Sequence, residues 1–188
     1  DTLFGIGNNG EDILLGTQGN NIGLYSTKWT PSGGLNSSGT PIVDSQWHHC
    51  VWQYSATDTK AKMWVDGVEV PYTETQTRTS PATIGTSGGS EKRTFGTGED
   101  DAEGWDGSAR DLRWYNFKLS DEQVASLYSN SFNVTPDYWW KFDEGTGTAI
   151  EDYGTGTDAD GTMTADQLPT WQNDTLDLDS TLTIAANG

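Results

Sequence analysis

The feature of this sequence that most constrains its fold is a pair of alternating segments joined by an Asp-Gly turn. Residues 47–54 carry aromatic or apolar side chains on both of their period-2 faces, which predicts a central strand covered on both sides. Residues 60–65 alternate as well, and the side chains expected to face inward are Ala61, Met63 and Val65. Trp64 is then expected on the opposite face. The Asp66-Gly67 pair can adopt the positive φ values of a type I′ turn, which predicts an antiparallel hairpin.

Short runs of β-branched and aromatic residues, punctuated by Gly, Ser, Thr and Asn, recur along the rest of the chain. This pattern is typical of a β-sandwich or barrel. Further strands are predicted over residues 3–7, 13–15, 21–25, 108–117 and 138–142. Turn-rich composition predicts loops over residues 31–40 and 86–107. One helix is predicted to begin after Ser120, which can form a capping box with Gln123, and to end at Asn130 in the left-handed conformation.

The charge and aromatic content exclude several classes of protein. The 188 residues include 28 Asp and Glu against 10 Lys and Arg, and the net charge of −18 would repel nucleic acid and anionic lipid. The 9 Trp, 7 Tyr and 5 Phe nevertheless indicate a folded domain, because disordered chains are poor in aromatic residues. No apolar run approaches the ~20 residues that span a bilayer, so no membrane insertion is expected. Cys50 is the single cysteine, which excludes an internal disulfide and a cysteine-based zinc site.

Three motifs follow one another in a consistent order along the chain. They are WHHCVWQY at 47–54 with KMWVDGV at 62–68, RDLRWYN at 110–116 with the helix that follows, and WKFDEGTGT at 140–148 with DGTM at 160–163. In this order they resemble the laminin-G-like branch of the concanavalin A-like lectin and glucanase superfamily. The resemblance implies an all-β fold, a concanavalin A-like jelly-roll β-sandwich of two antiparallel sheets with one short helix.

The position of the third motif bears on the domain organisation. It is similar to the opening strand of the family, yet in this chain it stands after the closing helix. Residues 1–136 are therefore interpreted as the main part of a laminin-G-like sandwich. Residues 137–188 either complete the same sandwich by circular permutation, which we favour, or start a second repeat. Permutation is physically plausible because the termini of a domain often lie close together at its surface.

The resemblance implies a non-catalytic, lectin-like module that binds carbohydrate or glycoprotein, or mediates adhesion, on an extracellular, cell-surface or virion-surface protein. An alternative is a structural virion component, a capsid decoration or tail protein of a virus or phage, which would self-associate or bind a coat protein. A third is a laminarinase-type glycoside hydrolase, because Glu99, Asp101 and Glu103 match the E-x-D-x-E spacing of those enzymes. The glycine-rich flanks of this triplet are typical of a loop rather than a strand, so we expect the domain not to be an enzyme.

Aromatic residues in the predicted loops and acidic residues near turns of the chain are the candidate binding residues. An exposed ring can stack on a sugar, and the candidates for such a ligand platform are Trp105, Trp29 and Tyr153. Carboxylate oxygens suit Ca²⁺, which similar laminin-G-like domains often hold at a loop rim. The candidate calcium ligands are Asp106, Asp111, Asp143 and Asp160. The alternatives are core packing for each tryptophan and a solvated acidic surface for the carboxylates.

Overall fold

The computed structural model describes residues 1–7, 11–26, 33–55, 60–72, 92–96, 104–131, 134–163 and 170–171. The chain divides into two compact units, of which unit 1 comprises Asp1–Ala109 and Tyr115–Thr135, and unit 2 comprises Arg110–Trp114 and Pro136–Gly188. Within the described residues every strand pair is antiparallel and one short helix is present, which confirms the predicted all-β class. In the same part of the chain, no helix has the length and apolar character needed to cross a bilayer.

The strands of unit 1 form two sheets. They are β1 (Thr2–Gly7), β2 (Glu11–Gln18), β3 (Asn21–Ser26), β4 (Gly33–Asn36), β5 (Cys50–Ser55), β6 (Lys60–Val65), β7 (Val68–Glu69) and β8 (Lys92–Phe95). Then follow β9 (Leu112–Trp114) in unit 2, helix α1 (Asp121–Tyr128) in unit 1, and β10 (Tyr138–Trp140), β11 (Ala149–Ile150) and β12 (Gly161–Thr162) in unit 2. The sheets of unit 1 have the orders β4-β3-β2-β1-β8 and β5-β6-β7, and the ladders of unit 2 are β9–β10 and β11–β12.

The larger sheet is buried on both faces near its centre. Consecutive residues Ile13, Leu14 and Leu15 of β2 point to alternate faces, and all three are buried. Gly16 follows them where a Cβ would lie 2.0 Å from the backbone oxygen of Asp1, so the close approach of the chain start requires a glycine. The strands predicted over 3–7, 13–15 and 21–25 are confirmed here, although each is longer than predicted.

Two edge strands of this sheet lie in stretches that the sequence predicts to be loops. β4 pairs with β3, and β8 pairs with β1, where Phe95 contacts Phe4 with a ring-centroid distance of 5.3 Å. The loop predictions are wrong at these positions. An edge strand needs partner backbone groups on one side only, so sheet pairing overrides the weak strand propensity of a sequence such as Gly33-Gly34-Leu35-Asn36.

The hairpin of the smaller sheet is confirmed, with two corrections. Asp66 and Gly67 have φ values of 52° and 77°, as a type I′ turn requires. Among the described residues, β6 rather than β5 is the central strand of the sheet. Trp64, predicted to face away from the core, is only 1% exposed. Helix α1 supplies a second apolar layer on that face, which the alternation of 60–65 could not reveal.

Helix α1 begins and ends as predicted. The Ser120 side chain accepts a hydrogen bond from the Gln123 backbone N–H at 3.2 Å, and the Gln123 side chain accepts one from the Ser120 backbone N–H at 2.8 Å. Asn130 follows the helix in the left-handed conformation, with a φ of 57°. The buried cluster that joins the helix to the smaller sheet contains Trp64, Leu119, Val124 and Leu127.

Unit 2 is built from short ladders. β9 pairs with β10 over three residue pairs, from Tyr138 opposite Trp114 to Trp140 opposite Leu112. Both strands are shorter than the predicted 108–117 and 138–142, and Phe142, with a φ of 60°, lies just after β10. Unit 2 combines residues 110–114 with the segment that the sequence sets apart as 137–188. Whether that segment completes one sandwich or starts a second repeat stays a prediction.

Candidate functional site

Two of the predicted site residues, Asp111 and Tyr153, belong to one group of side chains in unit 2. The group consists of Asp111, Arg113, Trp139, Lys141 and Tyr153, and we call it the aromatic–cation cluster. Each member contacts at least one other through a hydrogen bond, a cation–π contact or a ring contact.

The register of the β9–β10 ladder brings the cations onto the tryptophan. Arg113 lies directly opposite Trp139 on the paired strand, so the two side chains leave the ladder on the same face. The Arg113 guanidinium carbon is 4.8 Å from the Trp139 ring centroid. The Lys141 Nζ is 4.9 Å from the same ring, two residues farther along the chain. Both distances are within the range of a cation–π interaction.

Asp111 joins Arg113 to Trp139. Its Oδ1 accepts hydrogen bonds from Arg113 Nε at 3.0 Å and Trp139 Nε1 at 2.5 Å, and its Oδ2 accepts one from Arg113 Nη2 at 2.8 Å. The backbone N–H of Asp111 donates to the Lys141 carbonyl at 3.0 Å. Asp111 and Phe142 both have left-handed backbone conformations, with φ values of 59° and 60°. Such a conformation is costly for a bulky residue, and backbone strain of this kind concentrates at functional sites.

Tyr153 presents the exposed ring of the cluster. It is 42% exposed, and its ring meets that of Trp139 at a centroid distance of 6.3 Å and an angle of 64°. The Lys141 Nζ is 3.7 Å from the Tyr153 ring centroid. The hydroxyl donates to Glu151 Oε2 at 2.8 Å, and this bond is the main reason that the pKa of Tyr153 rises to about 12. The Glu151 carboxylate therefore holds the hydroxyl of Tyr153, and the Lys141 ammonium lies over one face of its ring.

The acidic residues of the following loop bind backbone amides. The Asp152 carboxylate accepts from the backbone N–H groups of Trp139 and Gly154 at 2.8 Å and of Ala159 at 3.2 Å. Asp160 in turn accepts from the Asp152 backbone N–H at 2.8 Å. These carboxylates fix the loop beside Tyr153, whose backbone N–H donates to the Trp139 carbonyl at 2.8 Å.

The predicted calcium ligands are divided between the two units. Asp106 is in unit 1, whereas Asp111, Asp143 and Asp160 are in unit 2. Asp143 is exposed, and its charge contributes to the raised pKa of Tyr153. Within the described ranges, no three or more His, Cys, Asp or Glu side chains converge in a way that could hold a metal ion.

The other predicted binding residues are in unit 1 or outside the described residues. Trp105 is in unit 1, half-buried, and its indole packs against Gly107, where a Cβ would lie 3.0 Å from Nε1. Trp29 is outside the described residues, as are the three carboxylates of the E-x-D-x-E motif at 99–103. Their predicted roles stay predictions.

A second polar group, in unit 1, stabilises the hairpin turn. His48 Nδ1 is 2.8 Å from Asp66 Oδ2 and its Nε2 is 3.1 Å from Asp44 Oδ1. The bond to Asp66 is the main reason that the pKa of His48 is raised, so the imidazolium form is favoured. Asp66 Oδ1 also accepts from the backbone N–H of His49 at 2.9 Å. Burial raises the pKa of the nearby Cys50 thiol to about 12, which makes a reactive thiolate unfavourable there.

Sequence reasoning missed Arg113, Trp139 and Lys141 as site residues. A signal was present in the sequence. Aromatic Trp139 and cationic Lys141 are two positions apart and therefore share one face of the predicted strand, and Arg113 lies in the predicted closing strand. Interpreting that signal requires knowing that residues 112–114 pair with residues 138–140. The register of a strand pair cannot be deduced from either strand alone.

Comparison with known proteins identifies the fold family of the larger part of the chain. A family model for laminin-G-like domains, described as the concanavalin A-like lectin/glucanases superfamily, matches residues 1–125. Asp111 and Arg113 are within this match, while Trp139, Lys141 and Tyr153 follow it. No curated protein and no solved structure gives a match.

Proposed function

We propose that this chain, which belongs to the concanavalin A-like lectin/glucanase superfamily as a laminin-G-like domain, is a non-catalytic module that binds carbohydrate or glycoprotein. The superfamily commonly binds carbohydrate, and laminin-G-like domains are typically extracellular. Both facts support an adhesion or recognition role on an extracellular, cell-surface or virion-surface protein.

The observation that carries the proposal is the aromatic–cation cluster. It places a ring that is 42% exposed, that of Tyr153, beside a second ring and three charged side chains. The C–H face of a sugar can pack on an exposed ring, while its hydroxyls bond to charged groups at the edge. Binding sites commonly combine apolar surface with a few well-placed polar groups.

The side chains of the cluster are held in place by hydrogen bonds, which favours a role in ligand binding. Asp111 holds the Arg113 guanidinium at two points and the Trp139 indole at a third, so these groups lose little conformational entropy when a ligand arrives. Tyr153 is held by Glu151 through its hydroxyl. A preorganised aromatic residue of this kind is a typical centre of binding energy.

A glycan array, followed by titration of the best ligand, tests the proposal. We expect Tyr153→Ala to weaken binding at least tenfold, about 1.4 kcal/mol, because the stacking surface is removed. Tyr153→Phe keeps the ring and should bind within about threefold of wild type. Tyr25→Ala is the matched control, since Tyr25 is 37% exposed on β3 of unit 1 and should leave affinity unchanged. Failure of every glycan to bind, or equal losses in Tyr153→Ala and Tyr25→Ala, would contradict the proposal.

The superfamily also includes glucanases, so the non-catalytic part of the proposal needs its own experiment. We expect no hydrolysis of β-glucans above the background of a Glu99→Gln variant. Hydrolysis by wild type that this substitution abolishes would identify an enzyme instead. A chain that binds no glycan but forms defined multimers in solution would favour the structural virion component.

A further inference from the structure

We infer that Asp111 is a positioning residue for the aromatic–cation cluster rather than a calcium ligand, so that recognition at this cluster is independent of calcium. The part of the inference that concerns ligand recognition rests on the proposed function, whereas the part that concerns metal binding does not. The inference departs from the Ca²⁺ role that the family resemblance implies for Asp111.

The hydrogen bonds of the Asp111 carboxylate leave little room for a metal ion. Its two oxygens offer about four acceptor positions, and N–H groups of Arg113 and Trp139 occupy three of them. Arg113 binds in the bidentate geometry, the strongest form of the carboxylate–guanidinium pair. Ca²⁺ at Asp111 would face this guanidinium at close range, and like charges so near repel each other.

Within the described part of the chain, acidic side chains do not supply the remaining ligands. Ca²⁺ takes roughly six to eight oxygen ligands in proteins. Of the other predicted ligands in unit 2, Asp160 has one oxygen engaged by the Asp152 backbone N–H. Asp111 has no convergent acidic partners among the residues that the structure describes. The donor set at Asp111 therefore fits an arginine and an indole, and does not fit calcium.

The same contacts explain what Asp111 does instead. Its left-handed backbone, with a φ of 59°, and its N–H bond to the Lys141 carbonyl fix the start of β9 against the end of β10. From this position the carboxylate orients the guanidinium that contacts the Trp139 ring. Trp139 and Lys141 in turn contact the ring of Tyr153. Asp111 would thus act on a ligand through Trp139 and Tyr153, without touching it.

Two Asp→Asn substitutions distinguish a positioning role of Asp111 from a role as a calcium ligand. Asp111→Asn removes the charge that binds Arg113, yet asparagine tolerates the left-handed backbone and can still accept from the Trp139 indole. Asp143→Asn makes the same change at an exposed predicted calcium ligand that is not a member of the aromatic–cation cluster. With a glycan identified by the array, Asp111→Asn should weaken binding at least tenfold, whereas Asp143→Asn and chelation by EDTA should each change it less than twofold.

A double-mutant cycle distinguishes positioning from general destabilisation. Arg113→Lys retains the charge but not the bidentate bond, so it should weaken glycan binding to a similar extent. If Asp111 acts through Arg113, the double variant should bind no more weakly than either single variant. Additive losses would overturn the positioning role.

Terbium luminescence tests the metal question without any glycan. Tb³⁺ replaces Ca²⁺ and emits when a nearby tryptophan is excited, and the Trp139 Nε1 is 2.5 Å from Asp111 Oδ1. We expect any terbium emission of the wild-type chain to persist in Asp111→Asn. We also expect Asp111→Asn to shift the indole N–H NMR resonance of Trp139, and Asp143→Asn to leave that resonance unchanged. Saturable emission lost in Asp111→Asn alone would overturn the inference, even if the chain bound no glycan. If the wild-type chain bound no glycan while the terbium and NMR results were as expected, only the proposed function would be contradicted.

Discussion

In unit 1, apolar side chains of two sheets and a helix form the core, whereas in unit 2 the described buried hydrophobic residues are Trp140 and Ile150. In the described part of unit 2, directional polar bonds stabilise the structure together with these two side chains. The Asp152 carboxylate alone binds three backbone amides, and Asp111 binds an arginine and an indole. Some of the acidic side chains of this chain therefore stabilise the fold through hydrogen bonds, rather than only forming a solvated surface.

The difference has a consequence for binding. Packing in a hydrophobic core is insensitive to charge, whereas a carboxylate bonded to amides and cations loses its role when it is neutralised. The exposed aromatic ring of the candidate site belongs to the unit that depends on these carboxylates. The site and the scaffold around it are therefore expected to respond together to changes in acidic residues of unit 2.

The largest effect is expected in the core of unit 1. Trp64→Ala should lower the free energy of unfolding by about 3–5 kcal/mol, because Trp64 is 1% exposed and packs with the apolar face of α1. Urea denaturation followed by circular dichroism measures this loss. Val68→Ala, at a position 67% exposed on β7, is the control and should change stability by less than about 0.5 kcal/mol. Equal losses in the two variants would show that α1 does not cover β6 as described.

In unit 2, loss of the Asp152 carboxylate should destabilise the structure nearly as much as loss of Trp64 does in unit 1. Asp152→Ala removes the acceptor of three amides, and each unsatisfied amide costs about 1–3 kcal/mol when water cannot reach it. We expect faster hydrogen exchange at the amides of Trp139, Gly154 and Ala159. Asp158→Ala, which removes the acceptor of one amide at 3.2 Å, should leave those three amides protected. Unchanged exchange in Asp152→Ala would contradict the structural role of the carboxylates.

The helix cap gives a smaller, local effect. Ser120→Ala removes one half of the capping box and should lower the free energy of unfolding by about 1 kcal/mol. Ser120→Asp restores an acceptor and adds a charge that suits the helix N-terminus, so it should recover most of the loss. Thermal unfolding of the three proteins measures this series, and an alanine variant as stable as wild type would be the contrary result.

The smallest effect is the pH dependence of the His48 contacts. Because folding raises the pKa of His48, mainly through Asp66, its contribution is fully present below about pH 6.5 and is lost as the pH rises through the folded pKa. Folding lowers the pKa of Asp44, mainly through its hydrogen bond with His48, so that contribution is lost at acidic pH as the carboxylate protonates. The difference in Tm between wild type and His48→Gln should therefore be larger at pH 5.5 than at pH 8. A difference independent of pH would mean that His48 acts through packing alone.

The sequence predicted those parts of the fold that depend on neighbours along the chain. The turn at Asp66, the cap at Ser120 and the left-handed end at Asn130 are all confirmed, because each uses bonds between residues a few positions apart. The alternation of residues 60–65 predicts the wrong face for Trp64, because a helix far along the chain covers that residue. The sequence predicts a loop at β4, because only the pairing with β3 makes this segment a strand.

For the candidate site, the sequence indicates Tyr153 through its place in a predicted loop and Asp111 through the family resemblance. It gives them separate roles, one as a sugar platform and the other as a calcium ligand. Trp139 reaches Asp111 across 28 positions of the chain, and Arg113 reaches Trp139 through the β9–β10 register. The all-β class, the hairpin and the helix follow from the sequence alone, since their signals are local. The meeting of a carboxylate, two cations and two rings at one place depends on the pairing of β9 with β10, which joins segments far apart in the chain. A shift of one residue in such a pair turns every side chain of a strand to the other face, so the site exists only when that register is formed.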